Sequence, residues 1–148
     1  MDLKLVKQLR EETNVSYAMC QDALKEAKGD IVKAREILRS KGADVAAKKA
    51  SREMKEGRIF TYVHHNQKIG SMVVLMCETD FVGKNENFQE LGANIAMQIA
   101  STNPENLEAL LASPFIKDPS STVDQLVKDL ILKMGENTAI GEFQRFEI

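Results

Sequence analysis

The sequence predicts an α+β protein: a three-helix N-terminal module, a helical linker, and a small three-stranded antiparallel sheet packed with helices. Three observations carry this. Before residue 43, apolar residues recur at helical spacing in three short, separately punctuated segments. From Arg58 the period becomes that of extended chain, with β-branched and aromatic residues in RIFTYVHH and IGSMVVLMC. Helical stripes then return and EFQRFEI closes the chain as a further strand, an order that suits helices beside an antiparallel sheet.

Residues 1–42 are expected to form the three-helix module. Asp2 can cap a first helix whose Leu3, Leu5, Val6 and Leu9 make an apolar stripe, and Thr13 with Asn14 ends it. Ser16 can cap a second, carrying Tyr17, Cys20, Ala23, Leu24 and Ala27, with Gly29 where a left-handed stop belongs. Asp30 then opens a third, lined by Ile31, Ala34, Ile37 and Leu38, with Gly42 as the next stop. About 40 residues is near the lower limit for a self-sufficient core, so the module is expected to work tethered to something else.

Residues 43–57, ADVAAKKASREMKEG, are rich in alanine and lysine with only a weak apolar stripe, and read as a helical linker. Lys41 to Arg58 holds six basic and three acidic residues, in a chain whose net charge is −2. Two readings of that basic block are open: a solvated helix face, or a contact with an acidic protein or nucleic acid.

Residues 58–148 are expected to form the α+β core and dimerisation domain. RIFTYVHH and IGSMVVLMC, separated by Asn66, Gln67 and Lys68, suggest a β-hairpin. In the second strand Met72, Val74 and Met76 alternate with Val73, Leu75 and Cys77, so both faces are apolar. A small sheet with helices on one side should leave its other face wet, and this pattern therefore predicts a second copy or a partner there. Asn87 to Ser101 carries Phe88, Leu91, Ile95, Ala96 and Ile99 at helical spacing, and Asn103 with Pro104 is expected to open a short helix through Leu107, Leu110 and Leu111. SPFIKDPSS reads as a loop. Thr122 can cap a last helix bearing Val123, Leu126, Val127, Leu130 and Ile131, ended by Gly135.

Composition narrows the function. With 22 acidic and 20 basic residues the chain has no general attraction for nucleic acid or an anionic membrane. The leading MDLKLVKQLREET lacks the apolar run of a signal peptide, and no later run is long enough to span a bilayer. The two cysteines, Cys20 and Cys77, have neither metal-type nor CxxC spacing, which fits a reducing, cytoplasmic setting. His64 and His65 would face opposite sides of a strand and could not chelate one ion together without a bend. No carboxylate pair, glycine-rich phosphate loop or nucleophile signature points to catalysis, and no cofactor or resident metal is called for.

The informative stretch is ETDFVGKNENF, residues 78–88, where strand passes to helix. Thr79 or Asp80 makes a sound N-cap. Phe81 and Val82 could pack beneath the hairpin, or present themselves to another molecule. The stretch resembles the TDFV signature of the elongation factor Ts family, following a hairpin and preceding a phenylalanine-bearing helix. LREET, Ala23 with Leu24, Gly29 with Asp30, GADVAAKKASREMKEG, YVHHNQKIGSMVVLMCETDFV, SPFIKD, and GEN followed by RFE agree in order, so the likeness spans nearly the whole chain. It departs at Tyr17 and Ala18, where methionines are usual, and at Gly83, where alanine or serine is usual. The stretch from Asn103 to Ser113 is also too short for the second core subdomain or coiled coil that many relatives carry.

The resemblance implies a ubiquitin-associated-like module at 1–42 and a factor that binds elongation factor Tu, GDP-bound and nucleotide-free, and releases its GDP without changing a bond. It implies that Asp80 and Phe81 intrude near the magnesium and phosphate sites of the GTPase. Phe81 would wedge between helices, Asp80 would disturb the polar network around magnesium, and Thr79 and Val82 would hold the tip. Leu9 and the Tyr17-Ala18 turn would anchor the N-terminal module. A homodimer through the sheet is the expected assembly of so short a chain, without direct nucleic-acid or membrane contact. The competing reading is an adaptor without exchange activity, the three-helix module binding a peptide or ubiquitin-like partner.

Overall fold

The computed structural model describes residues 2–148. Three helices open it: α1 (Leu3–Thr13), α2 (Tyr17–Glu26) and α3 (Ile31–Lys49). Asp2, Ser16 and Asp30 cap them as expected, each side chain accepting from a backbone N–H of the first turn. Asn14, in the left-handed region at φ 53°, closes α1, and Gly29 at φ 86° reverses the chain after α2. Val6, Leu9, Cys20, Ala23, Leu24, Ala34 and Leu38 form the module's own core.

Gly42 is not a stop. Helix α3 runs through it, and the missing side chain serves close packing: a Cβ there would lie 3.3 Å from the Lys128 carbonyl oxygen and 3.7 Å from Leu132 Cβ, on helix α7 (Val123–Met134). Leu132 in turn joins the module's apolar cluster. The module and the rest of the protein therefore share one packed seam along α3 and α7. Arg39 reinforces it, its two terminal nitrogens donating to Gln125 Oε1 at 3.2 Å and Ser121 Oγ at 2.6 Å.

The hairpin follows as strands β1 (Glu56–Val63) and β2 (Ile69–Cys77), and β5 (Thr138–Glu147) adds antiparallel to the other edge of β2, giving the order β1-β2-β5. One face packs on α5 (Glu86–Thr102) and α7, with Val73, Leu75, Cys77, Phe88, Ile95, Ile99, Leu130 and Ile140 in its core. The other face carries Ile59, Val63, Met72 and Phe146 in the open. Alternation along β2 thus divides its two apolar faces as the sequence indicates. Two connections differ from expectation. Asn103 closes α5 in the left-handed conformation, and the short helix α6 (Leu107–Ala112) is capped instead by Asn106, whose side-chain oxygen accepts from the Ala109 N–H. The expected loop SPFIKDPSS is a small hairpin of β3 (Pro114–Phe115) and β4 (Asp118–Thr122). Buried Gln98 ties it to α5 through Pro114 O, Ser113 Oγ and the Ile116 N–H, bonds that no apolar periodicity announces.

His64 and His65 do not face opposite ways. Strand β1 ends at Val63, the backbone turns, and the two rings stand 4.1 Å apart, His64 Nδ1 meeting the Tyr62 hydroxyl at 2.9 Å. No group of three or more histidine, cysteine or acidic side chains suited to a metal occurs among the described residues. None of their helices is long and apolar enough to cross a membrane.

Candidate functional site

The chain leaves β2 at Cys77 and makes the four-residue helix α4 (Asp80–Gly83) before α5. Such a helix cannot hold itself together, because nucleation costs more than one turn of hydrogen bonds returns. External contacts fix it. Thr79, extended at φ −128° and ψ 153°, is the N-cap and accepts from Val82 N–H at 3.3 Å. Its own N–H and hydroxyl donate to the two oxygens of Glu136, at 3.0 and 2.7 Å. Glu136 lies in the α7–β5 connection, so one carboxylate staples the tip to the far end of the fold. The Cys77 thiol donates to the Thr79 carbonyl at 3.2 Å, and burial pushes that thiol's pKa up. Beneath, the Gln89 amide donates to the Gly83 carbonyl at 2.8 Å, and Asn85 caps α5.

Held this way, α4 sorts its side chains. Val82 points inward and joins the main core. Phe81, one residue earlier and about 100° round the helix, is 80% exposed. A phenylalanine left in water forgoes about 1.5–3 kcal/mol of burial, so its place here is not accounted for by the fold of this chain. Asp80 is the first residue of the helix, where a carboxylate suits the positive end of the dipole. Lys84 Nζ lies 2.8 Å from one of its oxygens and Arg58 Nη2 2.6 Å from the other. The lysine first, and the arginine second, hold the Asp80 carboxyl below its ordinary pKa.

Thr79, Asp80, Phe81 and Val82 thus meet at one tip, with Phe81 outermost. The N-terminal group divides. Tyr17 is 41% exposed and Ala18 is exposed beside it at the start of α2. Leu9 is 0% exposed, enclosed in the module's core. As a direct anchoring contact Leu9 is therefore corrected: it shapes the module from within, because the α1 stripe that contains it faces α2 and α3. Sequence reasoning missed Glu136 and Arg58. Neither lies on an apolar stripe, and each is separated from the tip by a strand pairing or a chain crossing that periodicity does not encode.

Comparison with known proteins adds a separate line. A family model described as Elongation factor TS matches residues 78–148, from the strand end before the tip to the last residue. The chain is 39% identical to Elongation factor Ts of Oleidesulfovibrio alaskensis, over 97% of this chain and 96% of that relative. It is 36% identical to Elongation factor Ts of Solibacter usitatus, over 97% of this chain and 89% of the relative. To Elongation factor Ts of Clostridium perfringens it is 43% identical over 98% of this chain, though over only 47% of that longer relative. The first two alignments run over 189 residues against a chain of 148, so those relatives hold internal positions that this one lacks.

Proposed function

This chain belongs to the elongation factor Ts family, with a role in translation elongation, and from that premise we propose that it is a nucleotide exchange factor that binds elongation factor Tu and promotes loss of its GDP. The observation that carries the proposal is Phe81, standing in solvent on a helix start that three separate hydrogen bonds hold rigid. On docking, the ring enters between helices of the GTPase near the magnesium and phosphate sites. Asp80 beside it competes for the polar groups that hold the metal. Tyr17 and Ala18 make a second contact from the N-terminal module.

No bond changes. The factor works by linkage: it weakens GDP binding by the factor by which GDP weakens its own binding, so neither partner is held permanently. Two contacts on one rigid body raise each other's effective concentration, which lets each be weak and the complex still reverse.

We further propose that the open sheet face pairs with a second copy of this chain. Ile59, Met72 and Phe146 there form an apolar patch of the kind that marks interfaces. Its three strands present the same surface in each copy, as a two-fold interface requires.

Stopped-flow release of a fluorescent GDP analogue from elongation factor Tu tests the exchange reading. Release accelerated by the chain in a saturable way is expected. An unaltered release rate at micromolar factor, with the chain folded, would end the proposal. Capture from a bacterial lysate of some partner other than elongation factor Tu, together with unaltered release, would favour the adaptor instead.

A further inference from the structure

Gly83 lies against Arg58. A Cβ built on it would meet Nη1, Cζ and Nη2 of that guanidinium at 2.8, 2.9 and 3.0 Å. The guanidinium is held in this seat by two bonds: Nη1 donates to the Gly57 carbonyl at 2.7 Å, and Nη2 to Asp80 Oδ1 at 2.6 Å. Arg58 belongs to β1, the outer strand of the hairpin, while Asp80 and Gly83 bracket the short helix that carries Phe81. No other side-chain bond joins β1 to that helix.

We propose that Arg58 is a positioning residue for the tip: seated over Gly83, its guanidinium fixes the Asp80 carboxylate and with it the direction in which Phe81 leaves the surface. The inference rests on the exchange reading above and assigns a role to two residues that reading does not use. Gly83 is part of the device, because alanine or serine at this position puts a methyl or hydroxymethyl group where the guanidinium now lies. The far end of an arginine is free to yield, so such a side chain displaces Arg58 without unfolding the helix. Lys84 remains on the other Asp80 oxygen, which keeps the carboxylate paired but on a flexible arm from its own helix. What is lost is the tie across to the strand.

The pair is half exposed, so its contribution is modest. Removing a preorganising contact of that size is expected to cut the apparent affinity for the GTPase roughly two- to fivefold. The loss should appear in the factor concentration giving half-maximal GDP release, with the maximal rate little changed.

The experiment compares Arg58→Ala, Gly83→Ala and the double variant in full-length chain, after thermal melts confirm that all three fold. Asp80 is titrated by carboxyl NMR in the free protein, and release of a fluorescent GDP analogue from elongation factor Tu is followed against factor concentration. Both single variants should move the Asp80 titration upward toward the ordinary aspartate range, and both should raise the half-maximal concentration. The double variant should match either single one, since both remove the same tie. An Asp80 titration unmoved by Gly83→Ala would overturn the latch, whatever the exchange assay gives. A shifted titration with unchanged half-maximal concentration would overturn its positioning role, and additive losses would overturn the coupling of the two residues. Absence of exchange by the wild-type chain would instead sink the exchange reading, and the titration would still decide the latch.

Discussion

Phe81 and Phe88 sit in successive helices with opposite surroundings: Phe81 stands in solvent, while Phe88 is wholly enclosed, its ring centroid 6.0 Å from that of Phe60. One sequence stretch thus leaves one ring in water, where the proposed partner would take it up, and encloses the other in its own core. Their replacement should separate function from stability.

Phe81→Ala removes a ring that its own fold does not bury. Its unfolding free energy should stay within about 0.5 kcal/mol of wild type. Burial of the ring in a partner is worth about 1.5–3 kcal/mol, so stimulated GDP release should fall about ten- to a hundredfold. Wild-type rates of release with this variant would remove the ring from the mechanism.

Phe88→Ala should do the reverse. A fully enclosed phenylalanine leaves a cavity, and the cost is about 3–5 kcal/mol of stability. Urea denaturation reads it directly. At temperatures where the variant stays folded, its exchange activity should be largely kept.

Gly92→Ala tests how closely α5 approaches the sheet. A Cβ there would lie 2.2 Å from the Phe60 ring, well inside contact. Alanine favours the helix by about 1 kcal/mol, but the ring is backed by Phe88 and cannot simply swing away. Overpacking of about 1–3 kcal/mol should win, lowering the urea midpoint, and Phe60→Leu in the same chain should restore part of it.

Met72→Glu addresses the open sheet face. Wild type should scatter light as a particle of twice the chain's 16.5 kDa, and the variant as one chain with unchanged far-ultraviolet dichroism. A wild-type protein that is monomeric at tens of micromolar would dispose of the sheet dimer.

Glu12 gives a pH dependence of known sign. It joins α1 to α3 through Arg35, whose Nε donates to it at 2.7 Å, and the Gln8 amide donates to its other oxygen at 2.9 Å. The Gln8 bond first, then Arg35, holds its carboxyl below the ordinary 4.5. A depressed folded value means stability present above the unfolded pKa and lost as pH falls through the folded one. The difference in urea midpoint between wild type and Glu12→Gln should therefore be visible at pH 7 and vanish as pH falls below 4.5. Asp129 has the opposite sign. Burial raises its pKa against the pull of Arg39 and Lys133, so its contribution declines as pH rises above 3.8.

Much of this architecture was legible because its signals are local. Asp2, Ser16, Asp30 and Thr122 cap the helices their positions announce, and the box between Thr122 and Gln125 is complete. Gly29 and Gly135 take left-handed backbone, as stops do. Gly42 looked the same in sequence and differs only because α7 comes close from 86 residues downstream. Asn103 was similarly ambiguous, since asparagine serves both ends of a helix. The tip's residue types were legible in ETDFV, whereas the exposure of Phe81 against the burial of Val82 was not. It depends on how Glu136 and Arg58 orient four residues of helix, and those contacts come from distant segments. Leu9 was misplaced for a related reason: helical spacing marks it as apolar without saying which neighbour covers it.

Helix α3 spans 19 residues, about 28 Å at 1.5 Å per residue, and passes unbroken from the N-terminal core onto α7. The molecule is therefore a caliper with a set gap and not two fingers on a string. Under the proposed exchange reading, a GTPase would engage both jaws only if its two docking surfaces matched that gap, and the unbroken rod would then screen partners by dimension. Lengthening it by a few residues would rotate one jaw away from the other and should abolish simultaneous grip while leaving each jaw intact.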